Sequence, residues 1–472
     1  MHIGDDVEMT TIAMPSTKDF VPDDANTTIY DYLLWRGDID ITKSPLNPCD
    51  YLIFSVLSYS DIAVLEQKSH QKIKDIASLA ASYLLSTPKG EAIDPSLMRG
   101  FFIPNRRFFE ALAASSRYDS FALLDYEDRV DIEKNIQFSA YTWVINDELM
   151  LVCYRGTDMS LAGWKEDFLL GIEVVPAQTM AHRYLCHACE QARARKCTLV
   201  VAGHSKGGNL AAYAAASLDE NLRASIERVY NFDGPNFSHA LDLPDPYTLF
   251  GAHYVRIMPE FSVVGQLFDD EHAPKHFVKS IASGMMQHGP LSWCVVRDHF
   301  VEVPAAAPAA TRFATNHKNW EGNLSNVAEK QMIDEVFDAL YASGKQNFDE
   351  ILQDPSCWKK IFDHATSMSK STRAYLGEFV ELIFNDIAHL AKDSYKSFTQ
   401  DVGDVVKHFL ESLSKSASSA RAKRNEPESV AITRTPLSSP NQLEKPAGKD
   451  SNAPATTSYI ELPSRPHSRL GE

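Results

Sequence analysis

The sequence of 472 residues contains no run of about 18 apolar residues, the length a membrane-spanning helix needs. No transmembrane segment is therefore expected. Cysteine is scarce: there are seven, too few for a disulfide framework, and the odd number leaves at least one thiol free. That usage points to a reducing, cytoplasmic compartment. The opening stretch MHIGDDVEMTTIAMPSTKDF lacks the basic and apolar regions of a secretory signal. Basic residues are the minority charge, with Lys+Arg 46 against Asp+Glu 63 and a net charge of −17. This balance argues against non-specific binding to nucleic acid or to an anionic membrane surface. No internal repeat is present. The remaining composition, 44% hydrophobic and 23% charged, is that of a globular protein and excludes a wholly disordered chain, a collagen or a coiled-coil rod.

The length corresponds to roughly three structural units. Residues 1–28 are polar and aperiodic and are expected to form a flexible tail. Helical patterns follow at 47–63, 68–86 and 108–115, the second with Ile73, Ile76, Leu79, Ala80 and Leu84 at helical spacing. From Phe138 the pattern changes. Residues 138–145 and 148–154 read as strands of a hairpin around the turn Asn146-Asp147. A helix over 179–195 leads to the buried strand CTLVVA (197–202), then to a small-residue helix over 209–218. Further strands are expected at 227–233, 253–258 and 293–303. Short apolar strands between helices define an α/β fold with a mainly parallel sheet, the N-terminal helices packing on it. The low-complexity PAAAPAA marks a linker over 304–324, followed by a helical region at 325–416 and a disordered Ser-, Pro- and charge-rich tail at 417–472.

One cluster could suggest a metal: His182, Cys186, His187 and Cys189 in HRYLCHACEQA. No second ligand pair accompanies it, and the segment reads as a helix carrying small thiols. No metal or organic cofactor is expected.

The strongest chemical signal is Gly203-His204-Ser205-Lys206-Gly207, directly after the strand CTLVVA and before the helix NLAAYAAAS. A serine on a sharp strand-to-helix turn needs small residues at −2 and +2, which Gly203 and Gly207 supply. The helix N-terminus favours negative charge near the serine. The Lys206 backbone N–H is a candidate oxyanion donor. The loop YRGTD (154–158), at the end of the second hairpin strand, is placed to supply another. With Trp164 and Asp167, these motifs resemble the class 3 (fungal-type) lipase family. The resemblance is closer to a group of uncharacterised bacterial lipase-like proteins. It is carried by DYLLWRGD (31–38), AGHSKGGNLAAYAA (202–215), YNFDGPNF (230–237), SVVG (262–265) and QHGPLSW (287–293), and it spans residues 29–303. It implies an α/β-hydrolase fold, and for Thr157 a part in the oxyanion hole.

A serine nucleophile needs a base, and the chain order in this fold is Ser, acid, His. The histidines after Ser205 are His239, His253, His272, His276, His288 and His299. His288 stands in a Gly- and Pro-flanked loop before the last strand and matches the family motif. It is the favoured base. The acid is less clear. The alignment puts Ser262 opposite the family's Asp, so the sequence departs from the pattern there. Glu260, two residues earlier, is the first choice and Asp233, at the end of VYNFD, the second. Met285, Met286, Leu291 and Trp293 beside His288 are candidates for an acyl pocket, or for ordinary core.

Two functional readings follow. One is a serine esterase or lipase-like hydrolase taking a small-molecule or lipid ester. The other is a non-catalytic member of the fold that binds partners through its C-terminal helices and tail.

Overall fold

A computed structural model of the chain describes residues 27–373, apart from 87–103, 132–135, 238–240, 269–272, 316–324 and scattered single or paired positions. The expected tail before residue 27, the part of the expected helical region after residue 373 and the stretch 417–472 lie outside the described residues.

Five helices come first: α1 (Ile29–Arg36), α2 (Pro48–Leu57), α3 (Ile62–Ser69), α4 (Ile76–Ser86) and α5 (Arg106–Ala113). Asn47 caps α2 by accepting from the Cys49 N–H, and Pro48 occupies the first helical position, where a missing N–H costs nothing. Three strands follow, β1 (Ala122–Asp131), β2 (Ile136–Val144) and β3 (Leu149–Tyr154), and then α6 (Leu161–Leu169) and α7 (Pro176–Arg195). The central alternation runs β4 (Thr198–His204), α8 (Lys206–Ser217), α9 (Glu220–Arg223), β5 (Ile226–Phe232), α10 (Pro246–Phe250), β6 (Tyr254–Pro259) and β7 (His276–Val278). The short strands β8 (Val295–Val296), β9 (His299–Phe300) and β10 (Glu302–Val303) and the helices α11 (Asn326–Tyr341) and α12 (Pro355–Ala365) complete the described chain.

Eight strands form one sheet in the order β1-β2-β3-β4-β5-β6-β7-β10, with β3 through β7 parallel and β1, β2 and β10 antiparallel to their neighbours. This is the α/β-hydrolase architecture expected from the sequence. The hairpin β2–β3 lies where alternation placed it. Strand β1 was not expected, because ALLDYEDRVD is half charged. It is the edge strand, where charge is tolerated and guards against edge pairing.

The sheet is buried on both faces, and strand periodicity divides its side chains between them. Leu151 and Cys153 of β3 point to one face with Val200, Ala202, Tyr230 and Phe232, covered by α1 to α5. Met150, Val152 and Tyr154 point to the other with Leu199, Val201 and Val229, covered by α7 and α8. The N-terminal helices thus form one of the two covering layers.

The stretch after Val303 contacts the preceding strands directly. The Ala307 N–H donates to the Glu260 carbonyl at 2.6 Å, and Ala310 is buried. Helices α11 and α12 share a third core with α6, in which Phe337, Ile333, Trp358 and Ile361 meet Leu161 and Phe168. Lys165 of α6 reaches Asp334 at 2.7 Å. The buried face of α11, with Ile333 and Phe337, is the one that packs on α6.

Candidate active site

The turn between β4 and α8 is as sharp as the glycines imply. Ser205 has φ 59° and ψ −132°, outside the regions an L-residue prefers, and is held there by its N–H donating to the Phe232 carbonyl at 2.9 Å. A Cβ on Gly203 would lie 2.1 Å from the Gly207 carbonyl oxygen, and one on Gly207 would lie 2.2 Å from the Tyr154 carbonyl oxygen. Neither position has room for any side chain. The small residues at −2 and +2 are therefore steric requirements of the turn.

His288 arrives from the segment after β7, in a 3₁₀ turn over Gly284–His288. Its Nε2 lies 2.9 Å from Ser205 Oγ and its Nδ1 2.6 Å from Asp233 Oδ2. Asp233 directly follows β5, with φ 50°, a left-handed conformation that aspartate tolerates better than most residues. Its carboxylate is fully buried. Oδ1 accepts from Ser262 Oγ at 2.5 Å and from the Gly265 N–H at 3.2 Å. The structure thus brings Ser205, His288 and Asp233 into one hydrogen-bonded line.

Glu260, the first choice for the acid from the sequence, is displaced by Asp233. Both His288 ring nitrogens are engaged, Nδ1 by Asp233. Glu260 directly follows β6, its N–H donating to the Val278 carbonyl and its own carbonyl accepting from the Ala307 N–H. Ser262, noted as a departure from the family pattern, is the hydroxyl that holds the Asp233 carboxylate.

The other histidines lie elsewhere. His253 Nδ1 faces the Glu227 carbonyl, His276 pairs with Glu302 and His299 with Asp298, all exposed. His239 and His272 lie outside the described residues. On α7, His182 Nδ1 meets Ser217 Oγ at 2.8 Å and its Nε2 lies 3.5 Å from Cys186 Sγ. Among the described residues no group of three or more His, Cys, Asp or Glu is arranged to hold a metal. Trp293 is fully buried with its indole N–H on the Gln287 carbonyl at 2.8 Å, and Leu291 packs against the N-terminal core, so these two are core residues.

Sequence reasoning missed the support behind His288. His204 Nε2 lies 2.9 Å from the His288 carbonyl oxygen, and its Nδ1 lies 2.9 Å from Tyr59 Oη. A carbonyl only accepts, so Nε2 carries the proton and Nδ1 accepts from the Tyr59 hydroxyl. Burial, with the neighbouring His288 as the second cause, holds the His204 pKa well below the ordinary histidine range, so this imidazole is neutral at pH 7. The only sequence signal was the place of His204 next to Ser205; nothing local marked Tyr59.

On the opposite side of Ser205, the Lys206 N–H is the first of α8 and has no acceptor within the helix. The loop after β3 brings Gly156 and Thr157 to this region. A Cβ on Gly156 would lie 2.7 Å from the His204 carbonyl oxygen. Thr157 Oγ1 donates to Asp167 Oδ2 at 2.5 Å. Burial pushes the Asp167 pKa up to about 7, against the opposing pull of the Lys206 charge and of the Thr157 hydrogen bond.

Ser205, His288 and Asp233 thus form an acid–histidine–serine line at a strand-to-helix turn. Residues 112–338 match the family model described as Mbeg1-like. Solved structures with similarity include an M37 lipase, at 15% identity over 57% of this chain and 90% of that one, with a TM-score of 0.28. A triacylglycerol lipase from Penicillium expansum is 11% identical over 52% of this chain and 93% of its own, with a TM-score of 0.26. No curated protein matches the sequence.

Proposed function

We propose that the protein is a serine hydrolase of carboxylic esters, with Ser205 as nucleophile, His288 as general base and acid, and Asp233 as the orienting carboxylate. The observation that carries this reading is the line Ser205 Oγ–His288 Nε2 at 2.9 Å and His288 Nδ1–Asp233 Oδ2 at 2.6 Å. In the first step His288 Nε2 takes the Ser205 proton as Oγ attacks the ester carbonyl carbon. The Lys206 N–H and the Thr157 loop stabilise the charge that develops on the carbonyl oxygen. Asp233 stabilises the imidazolium and fixes its tautomer. His288 then gives its proton to the leaving alcohol. Water, activated by the same imidazole, attacks the acyl-serine and releases the acid. The chemistry draws on the protein's own side chains and needs no cofactor.

The partner-binding reading is weakened by one feature. The buried apolar residues of α11 and α12, such as Phe337 and Trp358, share a core with α6, so that face is not free for a partner. Cytoplasmic placement rests on the cysteine usage. No helix among the described residues is long and apolar enough to cross a membrane.

The test is hydrolysis of p-nitrophenyl esters from acetyl to palmitoyl by the wild type and Ser205→Ala, with alkyl fluorophosphonate labelling followed by mass spectrometry. The reading requires an adduct on Ser205 and turnover that the substitution abolishes. Equal turnover in both proteins, or a wild type that neither labels nor hydrolyses, would sink it.

A further inference from the structure

The residue that follows the nucleophile carries a charge into a place that has no solvent. The Lys206 side chain is fully buried. Its ammonium donates to Glu166 Oε2 of α6 at 2.5 Å and to Gln137 Oε1 of β2 at 2.9 Å. A buried ion pair is weak as a source of stability, because desolvation offsets most of the attraction, and an apolar pair of the same volume commonly does as well. The pair therefore calls for another account.

Its partners supply one. Gln137 cannot turn its amide around, because the ammonium only donates and so demands the amide oxygen. The Gln137 NH₂ group is then left to donate to the Gly156 carbonyl oxygen at 3.2 Å, in the loop that carries Thr157. The second partner, Glu166, is anchored in turn by the Ala177 N–H at the start of α7, at 3.1 Å. Glu166 precedes Asp167, whose carboxylate accepts from the Thr157 hydroxyl. From one ammonium, two routes thus run to the Gly156-Thr157 loop: through Gln137 to its backbone, and through α6 to its side chain. The same residue's backbone N–H opens α8 beside Ser205.

We infer that the Lys206 side chain is a positioning group of the oxyanion site, holding its own backbone N–H and the Gly156-Thr157 loop in a single frame. This inference rests on the hydrolase reading above. It assigns to the ammonium no contact with substrate. It places the benefit in the transition state, where donors must already stand where the oxyanion forms.

The experiment compares the wild type, Lys206→Met and the double variant Glu166→Gln/Lys206→Met. Four quantities are read: kcat and KM on p-nitrophenyl butyrate, Ki for an alkyl trifluoromethyl ketone, and Tm. The ketone adds to the serine and leaves an oxyanion-like tetrahedral group. Lys206→Met is expected to lower kcat about tenfold or more, short of the 10²–10³ of a donor removed outright. KM should stay within about twofold, and Ki should rise by the factor kcat loses. Removing Lys206 alone strands the Glu166 carboxylate, so Tm falls. The double variant should regain most of that Tm but not the rate. A double variant with wild-type kcat and Ki would reduce the pair to a stability element and overturn the inference, as would an unchanged kcat in a folded Lys206→Met. If Lys206→Met does not fold, the double variant decides alone. A wild type without Ser205-dependent turnover overturns the hydrolase reading, and this inference with it.

Discussion

Replacing Asp233 by Asn tests the assignment of the acid most sharply, because the structure dictates how the new amide must sit. Oδ1 is held by two donors, the Ser262 hydroxyl and the Gly265 N–H. The Gly265 N–H can only donate and the Ser262 hydroxyl donates beside it, so the amide of Asp233→Asn places its oxygen there and its NH₂ toward His288 Nδ1. The imidazole must then present a bare Nδ1 and carry its proton on Nε2. That nitrogen faces Ser205 Oγ and can no longer take its proton. The buried negative charge that stabilised the imidazolium is lost as well. A histidine locked in the wrong tautomer costs about 10⁴ in kcat, or about 5 kcal/mol of transition-state stabilisation. KM should change little. Glu260→Gln, at the position the sequence first favoured, should stay within about twofold of the wild type. The assay is steady-state hydrolysis of p-nitrophenyl butyrate, with Tm measured to verify folding. A folded Asp233→Asn that keeps a tenth or more of wild-type kcat would refute the tautomer argument. If Glu260→Gln showed the larger loss, the assignment of the acid would be reversed.

Three further outcomes follow from the same geometry. Tyr59→Phe removes the donor to His204 Nδ1 and leaves a buried ring nitrogen unpaired, so urea denaturation should show a loss of about 1–3 kcal/mol; a loss below about 0.3 kcal/mol would mean that water or another donor replaces the hydroxyl. Asp167 has its pKa raised to about 7 by burial, so between pH 4 and 7 the folded state holds a proton the unfolded state has released. Stability therefore falls as pH rises through that window, by up to about 1.4 kcal/mol per pH unit. Buried neutral His204 acts in the opposite sense below about pH 6.5, so the measurable quantity is a difference. The Tm of Asp167→Asn relative to the wild type should climb from pH 4.5 to 7.5, and a flat difference would remove Asp167 as the titrating group. Phe337→Ala empties a buried site against Phe168 of α6 and should cost about 3–5 kcal/mol, an effect a loosely attached helical region would not show.

What could be read from the sequence, and what could not, divides along the range of the forces involved. The nucleophile turn was legible because its constraint is local. A strand, two glycines and a helix decide within ten residues whether Ser205 can stand where it does, and the clash distances at Gly203 and Gly207 show how little latitude there is. His288 was singled out because it stands in a Gly- and Pro-flanked loop before the last strand, in the segment QHGPLSW. The acid was not, because Asp233 and Glu260 close adjacent parallel strands, β5 and β6, and chain order treats them alike. What separates them is direction. Asp233 bends into a left-handed conformation, at φ 50°, and its carboxylate meets His288, while Glu260 has no such positive φ. The departure at Ser262 held the missing information. A hydroxyl in place of the family's carboxylate cannot orient a histidine, but it can hold a carboxylate supplied from the next strand, as it does at 2.5 Å from Asp233. The buried Lys206 network escaped for the same reason. Gln137, Glu166 and Lys206 sit on three separate elements, and a charged residue inside GHSKGG reads as solvated until the fold surrounds it. The sequence-distant contacts that sequence reading misses are here the ones that orient the groups it finds, so under the proposed hydrolase mechanism the rate rests on residues no motif reveals.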